Sequence, residues 1–108
     1  MKKIFITGGS GFVGSALCKT LAKTTKNVCA SVRSRDFSSN FYNLEYVSTG
    51  DIRSKTNWKK ILTNIDCIIH CVAKAHETNF FNKESLNEFR MVNVEATANL
   101  ARQAAASG

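Results

Sequence analysis

Proline is absent from this 108-residue chain, as are internal repeats, low-complexity tracts and Gly/Ser-rich linkers. Nothing marks a second domain, so one domain at most is expected, with a modest core. Long apolar runs are missing too. Met1-Lys2-Lys3 opens as a secretory leader would, yet glycines and Ser10 break the apolar stretch that follows within a few residues. Neither a leader nor a membrane span is predicted. The four cysteines (Cys18, Cys29, Cys67, Cys71) form no C-x-x-C pair. Three lie in apolar patterns where a reduced thiol packs as a small hydrophobe, so free thiols in a reducing cytoplasm are expected. Acidic residues are scarce, eight Asp/Glu against fifteen Lys/Arg for a net charge of +7. Dense basic runs with interleaved aromatics are nevertheless lacking, so no nucleic-acid partner is expected and attraction of an anionic cofactor is a sufficient role for the charge. His70, His76 and Glu77 match no usual ligand spacing, and no metal is expected.

What the chain does contain is the stretch Ile4-Phe5-Ile6-Thr7-Gly8-Gly9-Ser10-Gly11-Phe12-Val13-Gly14. Ile4 to Ile6 read as a buried strand, and Gly8, Gly11 and Gly14 punctuate a turn where side chains would obstruct a ligand. From about Phe12 the residues suit a helix. Val13, Leu17 and Leu21 at i, i+4 and i+8, with Gly14, Cys18 and Ala22 beside them, are expected to form the stripe against a sheet. A helix N-terminus offers unpaired amides and the positive end of the dipole, which favour a pyrophosphate above it. A ligand-free glycine turn competes with this reading. A P-loop fits poorly, because Ser15 stands where its lysine would be. The G-x-x-G-x-x-G spacing between strand and helix fits a dinucleotide fingerprint.

Further along, Asn27 to Arg33 reads as a second buried strand whose end would face the adenosine ribose. Arg33 there favours a 2′-phosphate, hence NADP over NAD, although Asp36 is placed to reach back. Asp36 to Asn43 forms a loop and Leu44 to Ser48 a third strand. Gly50-Asp51-Ile52 follows, where Asp51 either accepts from an adenine amino group or caps a helix starting near Arg53. Trp58, Ile61 and Leu62 would give that helix its apolar side. Asp66 to Val72 is a fourth strand, apolar as one covered on both faces should be. Ala73 to Asn82 is a loop, and Lys83 to Ser107 a helix with Phe89, Val92, Ala96, Leu100 and Ala104 inward. Asn93 lies beside that stripe, where its amide needs partners.

Four ordered pieces, Thr7 to Gly14, Gly50-Asp51-Ile52, His70-Cys71-Val72-Ala73 and Asn93 to Leu100, make the chain resemble the extended short-chain dehydrogenase/reductases, the NAD(P)-dependent sugar-nucleotide epimerases and dehydratases. The resemblance implies a Rossmann-type α/β fold, a doubly wound parallel sheet cut to about four strands in the order 3-2-1-4 with helices on both faces. Residues 1–108 would be the N-terminal part of that domain. Gly8, Gly11, Phe12, Val13 and Gly14 would hold the pyrophosphate, Arg33 the adenosine ribose or its phosphate, and Asp51 with Ile52 the adenine. Val72, Ala73 and Lys74 would line the nicotinamide ribose, and Asn93 matches the family asparagine that orders the active site. Cys71 and Val72 depart from the family's Leu and Ala, and Arg33 from its acidic residue.

The family's Tyr-x-x-x-Lys pair is lacking, since Tyr42 is followed four residues on by Tyr46, and Tyr46 by Gly50. No catalytic residue is assigned, and the chain alone is expected to be inactive. The parent enzyme would transiently oxidise a sugar C4 hydroxyl by hydride transfer, in the manner of a UDP-glucose 4-epimerase. Alternatives are an NADP-dependent 4-keto-sugar-nucleotide reductase and a non-catalytic NAD(P)-sensing module. An open edge on the fourth strand would allow self-association.

Overall fold

The computed structural model describes residues 3–24, 27–33, 43–72 and 83–108. Two units divide the chain: residues 1–51 with 64–71, and residues 52–63 with 72–108.

The first unit is a parallel sheet with one helix. Its strands are β1 (Lys3–Thr7), β2 (Asn27–Val32), β3 (Leu44–Ser48) and β4 (Cys67–His70), and α1 (Phe12–Ala22) follows β1. They lie in the order β3-β2-β1-β4, as the family resemblance implies. Ile4 pairs with Val28 on one side and Cys67 on the other, and Val28 pairs with Leu44. The β1-α1-β2 connection makes β1 and β2 parallel neighbours, which places the turn after β1 and the end of β2 at the same edge.

Alternation along the strands sends Ile4, Ile6, Val28, Ala30 and Leu44 to the face that α1 covers with Cys18 and Ala22. The buried stripe of α1 is therefore Gly14, Cys18 and Ala22. The expected stripe is there except at Val13, which is exposed; Leu17 and Leu21 flank the core. Gly14 must be small because the helix start runs too close to the β1 turn to admit a side chain. The far end of α1 is held by Asn43, whose side-chain amide donates to the carbonyls of Ala22 and Thr24 at 3.0 and 3.1 Å. Those carbonyls have no intrahelical donor, so an amide arriving at the start of β3 satisfies them.

β4 is shorter than the expected Asp66 to Val72 and is half-exposed rather than covered on both faces. Among the described residues it pairs only with β1, so it is an edge strand. Its start is pinned by Asp66, whose carboxylate accepts from the Lys3 amide at 2.8 Å while its own amide donates to the Lys3 carbonyl at 2.9 Å.

The second unit contains a long helical run: α2 (Lys83–Arg90), a π-helical segment (Met91–Ala96) and α3 (Thr97–Ser107). The expected helix from Lys83 to Ser107 is there, with wider turns through its middle. Ala96 and Leu100 are buried as the spacing predicts.

No helix starts near Arg53, contrary to expectation; residues 52–63 form turns. Two side-chain bonds shape these turns: Thr56 Oγ1 accepts from the Arg53 amide at 2.8 Å, and Asn57 Oδ1 accepts from the Lys59 amide at 3.0 Å. The Trp58 amide and the Thr56 carbonyl, which a helix through these residues would pair within itself, are bonded elsewhere. The turns are tied to α3 instead. Gln103 accepts from the Trp58 amide at 2.7 Å and donates to the Thr56 carbonyl at 2.7 Å, and Asn99 donates to the same carbonyl at 2.8 Å. Trp58 is fully buried there.

Candidate functional site

The site is built where β1 ends. Gly8 takes φ +74°, the left-handed conformation that an L side chain resists, and redirects the chain toward α1. The Gly11 amide then donates back to the Gly8 carbonyl at 3.1 Å, closing the turn. Gly14, in the first turn of α1, lies directly against it: a Cβ there would stand 1.9 Å from the Gly8 carbonyl oxygen. At Gly11 the same test gives 3.4 Å, an ordinary contact. Close packing of the helix on the turn is thus what demands Gly14.

The helix N-terminus is uncapped. Gly11 offers no side-chain hydrogen bond and the first turn carries no acidic residue. The first-turn amides of Phe12, Val13 and Gly14 have no intrahelical acceptor, by the geometry of any α-helix. The Phe12 side chain is 95% exposed. Uncompensated donors, the positive dipole end and a close turn free of side chains together suit a phosphate-bearing ligand.

Three residues that sequence reasoning passed over hold this cradle in place. Ser31, buried in β2, accepts the Gly9 amide on its carbonyl at 2.7 Å and the Gly8 amide on its hydroxyl at 3.2 Å. Gly9 must be small because a Cβ would meet Ala30 Cβ at 2.8 Å and the Ser31 carbonyl at 3.2 Å. Thr7, fully buried, accepts the Cys71 amide at 2.9 Å and bonds His70 Nδ1 at 2.7 Å. Thr7 Oγ1 thereby ties the Cys71 amide and the His70 ring to the end of β1. Burial lowers the His70 pKa below its ordinary 6.5, so the ring is neutral at pH 7. The available signal was a polar residue closing an apolar strand (Thr7) and a small one inside another (Ser31).

Arg33 follows β2 directly, and its Nε lies 3.4 Å from the Asp51 carboxylate, both side chains being exposed. Asp51 has no helix to cap, which removes that alternative. Gly8, Gly11, Phe12, Val13, Gly14, Arg33 and Asp51 are thus gathered in the first unit, at the C-terminal end of its sheet. Ile52 (buried), Val72 and Asn93 (both half-buried) belong to the second unit, where Asn93 sits in the π-helical segment. Ala73 and Lys74 lie outside the described residues, as do Asp36, Tyr42, His76 and Glu77.

Tyr46 lies in β3, with a ring carbon 3.3 Å from where a Gly9 Cβ would be. Burial, and then the neighbouring Cys18, raise its pKa, the reverse of what an acid/base tyrosine needs. Burial also pushes the Cys18 and Cys29 thiols up to about 11, which keeps them protonated and unreactive. All four cysteines are free thiols, and Cys67 is exposed. Among the described residues no helix is long and apolar enough to cross a membrane.

Comparison with known proteins agrees with this geometry. The chain is 37% identical to a UDP-glucose 4-epimerase of Vibrio cholerae over 99% of its own length and 32% of that protein's. It is 27% identical to a dTDP-glucose 4,6-dehydratase of Neisseria meningitidis serogroup B, over 98% and 32%. The chain thus spans about a third of the length of these curated relatives. A solved structure of MoeE5 in complex with UDP-glucuronic acid and NAD superposes with a TM-score of 0.82 at 26% identity, covering 98% of this chain and 33% of that one. Residues 4–108 match the model of the NAD dependent epimerase/dehydratase family, and with the ordered cradle and sheet described above they place the chain in that family of enzymes.

Proposed function

We propose that this chain is the dinucleotide-binding portion of an NAD(P)-dependent sugar-nucleotide epimerase or dehydratase. The observation that carries the reading is the Gly14 contact: the helix closes on the Gly8 turn so tightly that a methyl group finds no room, while its N-terminal amides remain uncapped. The residues present fit the group. Phe12, Val13 and Gly14 would donate main-chain N–H groups to the pyrophosphate, with Gly8 and Gly11 keeping the approach clear. Arg33 would meet the adenosine ribose or its 2′-phosphate, and Asp51 with Ile52 the adenine. Val72, Ala73 and Lys74 would line the nicotinamide ribose, and Asn93 would order the neighbouring active site.

When bound, the nicotinamide supplies reversible hydride acceptance. In the whole protein that chemistry would act on the C4 hydroxyl of a UDP-linked or related sugar, as the names of the relatives suggest. What this chain contributes is position. It fixes the phosphates at the sheet edge and holds a neutral His70 against Thr7 at the end of β4. The acid/base groups are not among its residues.

Calorimetric titration of the 108-residue chain with NAD+ and NADP+ tests the reading. Saturable binding lost on Gly14→Val is expected for a variant whose fold is checked by circular dichroism. A folded wild-type chain that takes up neither dinucleotide would refute it.

A further inference from the structure

The ends of β2 and β3 carry more than a basic residue suited to a phosphate. Hydrogen bonding keeps the two strands zipped to their last residues: the Thr49 amide donates to the Val32 carbonyl at 2.9 Å, and Ser48 Oγ donates to the Arg33 carbonyl at 3.3 Å. Gly50 then turns at φ +66°, and a methyl group placed on it would meet nothing within 4 Å, so crowding does not explain the glycine. Conformation alone requires it. That turn returns the Asp51 carboxylate to 3.4 Å from Arg33 Nε. An acidic group missing from the end of β2 is therefore supplied from the end of β3.

We infer that Asp51 sets dinucleotide preference by acting through Arg33, holding the guanidinium and opposing a 2′-phosphate there, so that the chain accepts both NAD and NADP. This rests on the dinucleotide reading above. A 2′-phosphate seated on Arg33 must share that cation with a carboxylate already paired to it. A 2′-hydroxyl brings no charge and leaves the pair intact. Because both side chains are more than half exposed, water screens the competition, and the preference is shifted rather than made absolute. Asp51 is in this respect a positioning residue.

The test is the ratio of NADP+ to NAD+ affinity, measured by calorimetry on the 108-residue chain and its variants. Any loss of an adenine contact weakens both ligands alike and cancels in the ratio. Asp51→Asn is expected to raise the ratio about threefold to tenfold, the scale of an exposed charge pair facing a dianion. Asp51→Glu, which keeps the charge, is expected to hold the ratio near the wild-type value. In an Arg33→Ala background, Asp51→Asn should raise it by less than about twofold, since the cation being competed for is gone. A ratio indifferent to Asp51→Asn, one raised equally by Asp51→Glu, or one raised just as far without Arg33 would overturn the inference while leaving dinucleotide binding intact. Failure of the wild-type chain to bind either dinucleotide would remove the underlying reading as well.

Discussion

Gly14→Ala adds a single methyl group to an α-helix, a change that elsewhere is mildly stabilising, and here it should be severe. The methyl would stand 1.9 Å from the Gly8 carbonyl oxygen and 2.8 Å from the Gly8 carbonyl carbon, both main-chain atoms. The turn cannot yield, because Gly8 is held left-handed and its amide is bonded to Ser31. The helix must therefore retreat by about an ångström, and overpacking against backbone of this kind costs about 3 kcal/mol. Retreat also draws Cys18 and Ala22 away from Ile4, Ile6 and Val28, where a gap of about 0.5–1 Å forfeits a quarter to a half of each dispersion contact. Against a domain stability of about 5–15 kcal/mol this is a large fraction. In urea, at about 1–1.5 kcal/mol per molar, the unfolding midpoint followed by far-ultraviolet circular dichroism should fall by about 2–3 M. Gly11→Ala is the control. Its methyl approaches nothing closer than 3.4 Å and its φ of −76° suits alanine, so only the exchange of glycine for a poorer N-cap remains, below about 1 kcal/mol. If the two midpoints coincide within about 0.5 M, the packing argument for Gly14 is wrong.

Thr7→Val keeps the shape of a fully buried side chain but strips the Cys71 amide of its acceptor and His70 Nδ1 of a hydrogen-bond partner, at a cost of about 1–3 kcal/mol. Hydrogen exchange at the Cys71 amide should accelerate accordingly, and unchanged exchange would count against the bond. Folding lowers the proton affinity of His70, so the unfolded chain binds more protons once the pH drops through the ordinary 6.5. Its contribution to stability is therefore complete above that pH and declines below it. Urea midpoints measured from pH 8 down to 5 should show a fall that His70→Asn flattens; parallel profiles for the two proteins would contradict this. Gln103→Ala removes the bonds to the Trp58 amide and the Thr56 carbonyl, which should cost about 1–2 kcal/mol. A red shift of Trp58 emission at lower urea is the readout, and an unmoved transition would argue that the turns hold without α3.

The strand-turn-helix at the N-terminus was legible because its signals are local: an apolar run, glycines at fixed spacing and a helical repeat. On α1 the inward stripe was legible except at Val13, which turns outward. Periodicity puts Val13, Leu17 and Leu21 beside Gly14, Cys18 and Ala22 on one side, and the clearance between helix and turn is what presses Gly14 inward. Residues 52–63 misled in the other direction. Trp58, Ile61 and Leu62 are spaced as in a helix, but the Trp58 amide and the Thr56 carbonyl, which a helix there would pair within itself, go to Gln103 and Asn99 of α3.

By itself the sequence determined the four strands with the helices after β1 and at the C-terminal end, the glycine cradle, the family and the basic residue at the end of β2, since each is written in neighbouring residues. Tertiary structure alone decided that Thr7 would clasp Cys71 and His70, that Ser31 would anchor the cradle and that Asp51 would meet Arg33. Those partners lie as far as 64 positions apart, and no local pattern specifies which polar groups a parallel sheet will bring to the same edge when it closes.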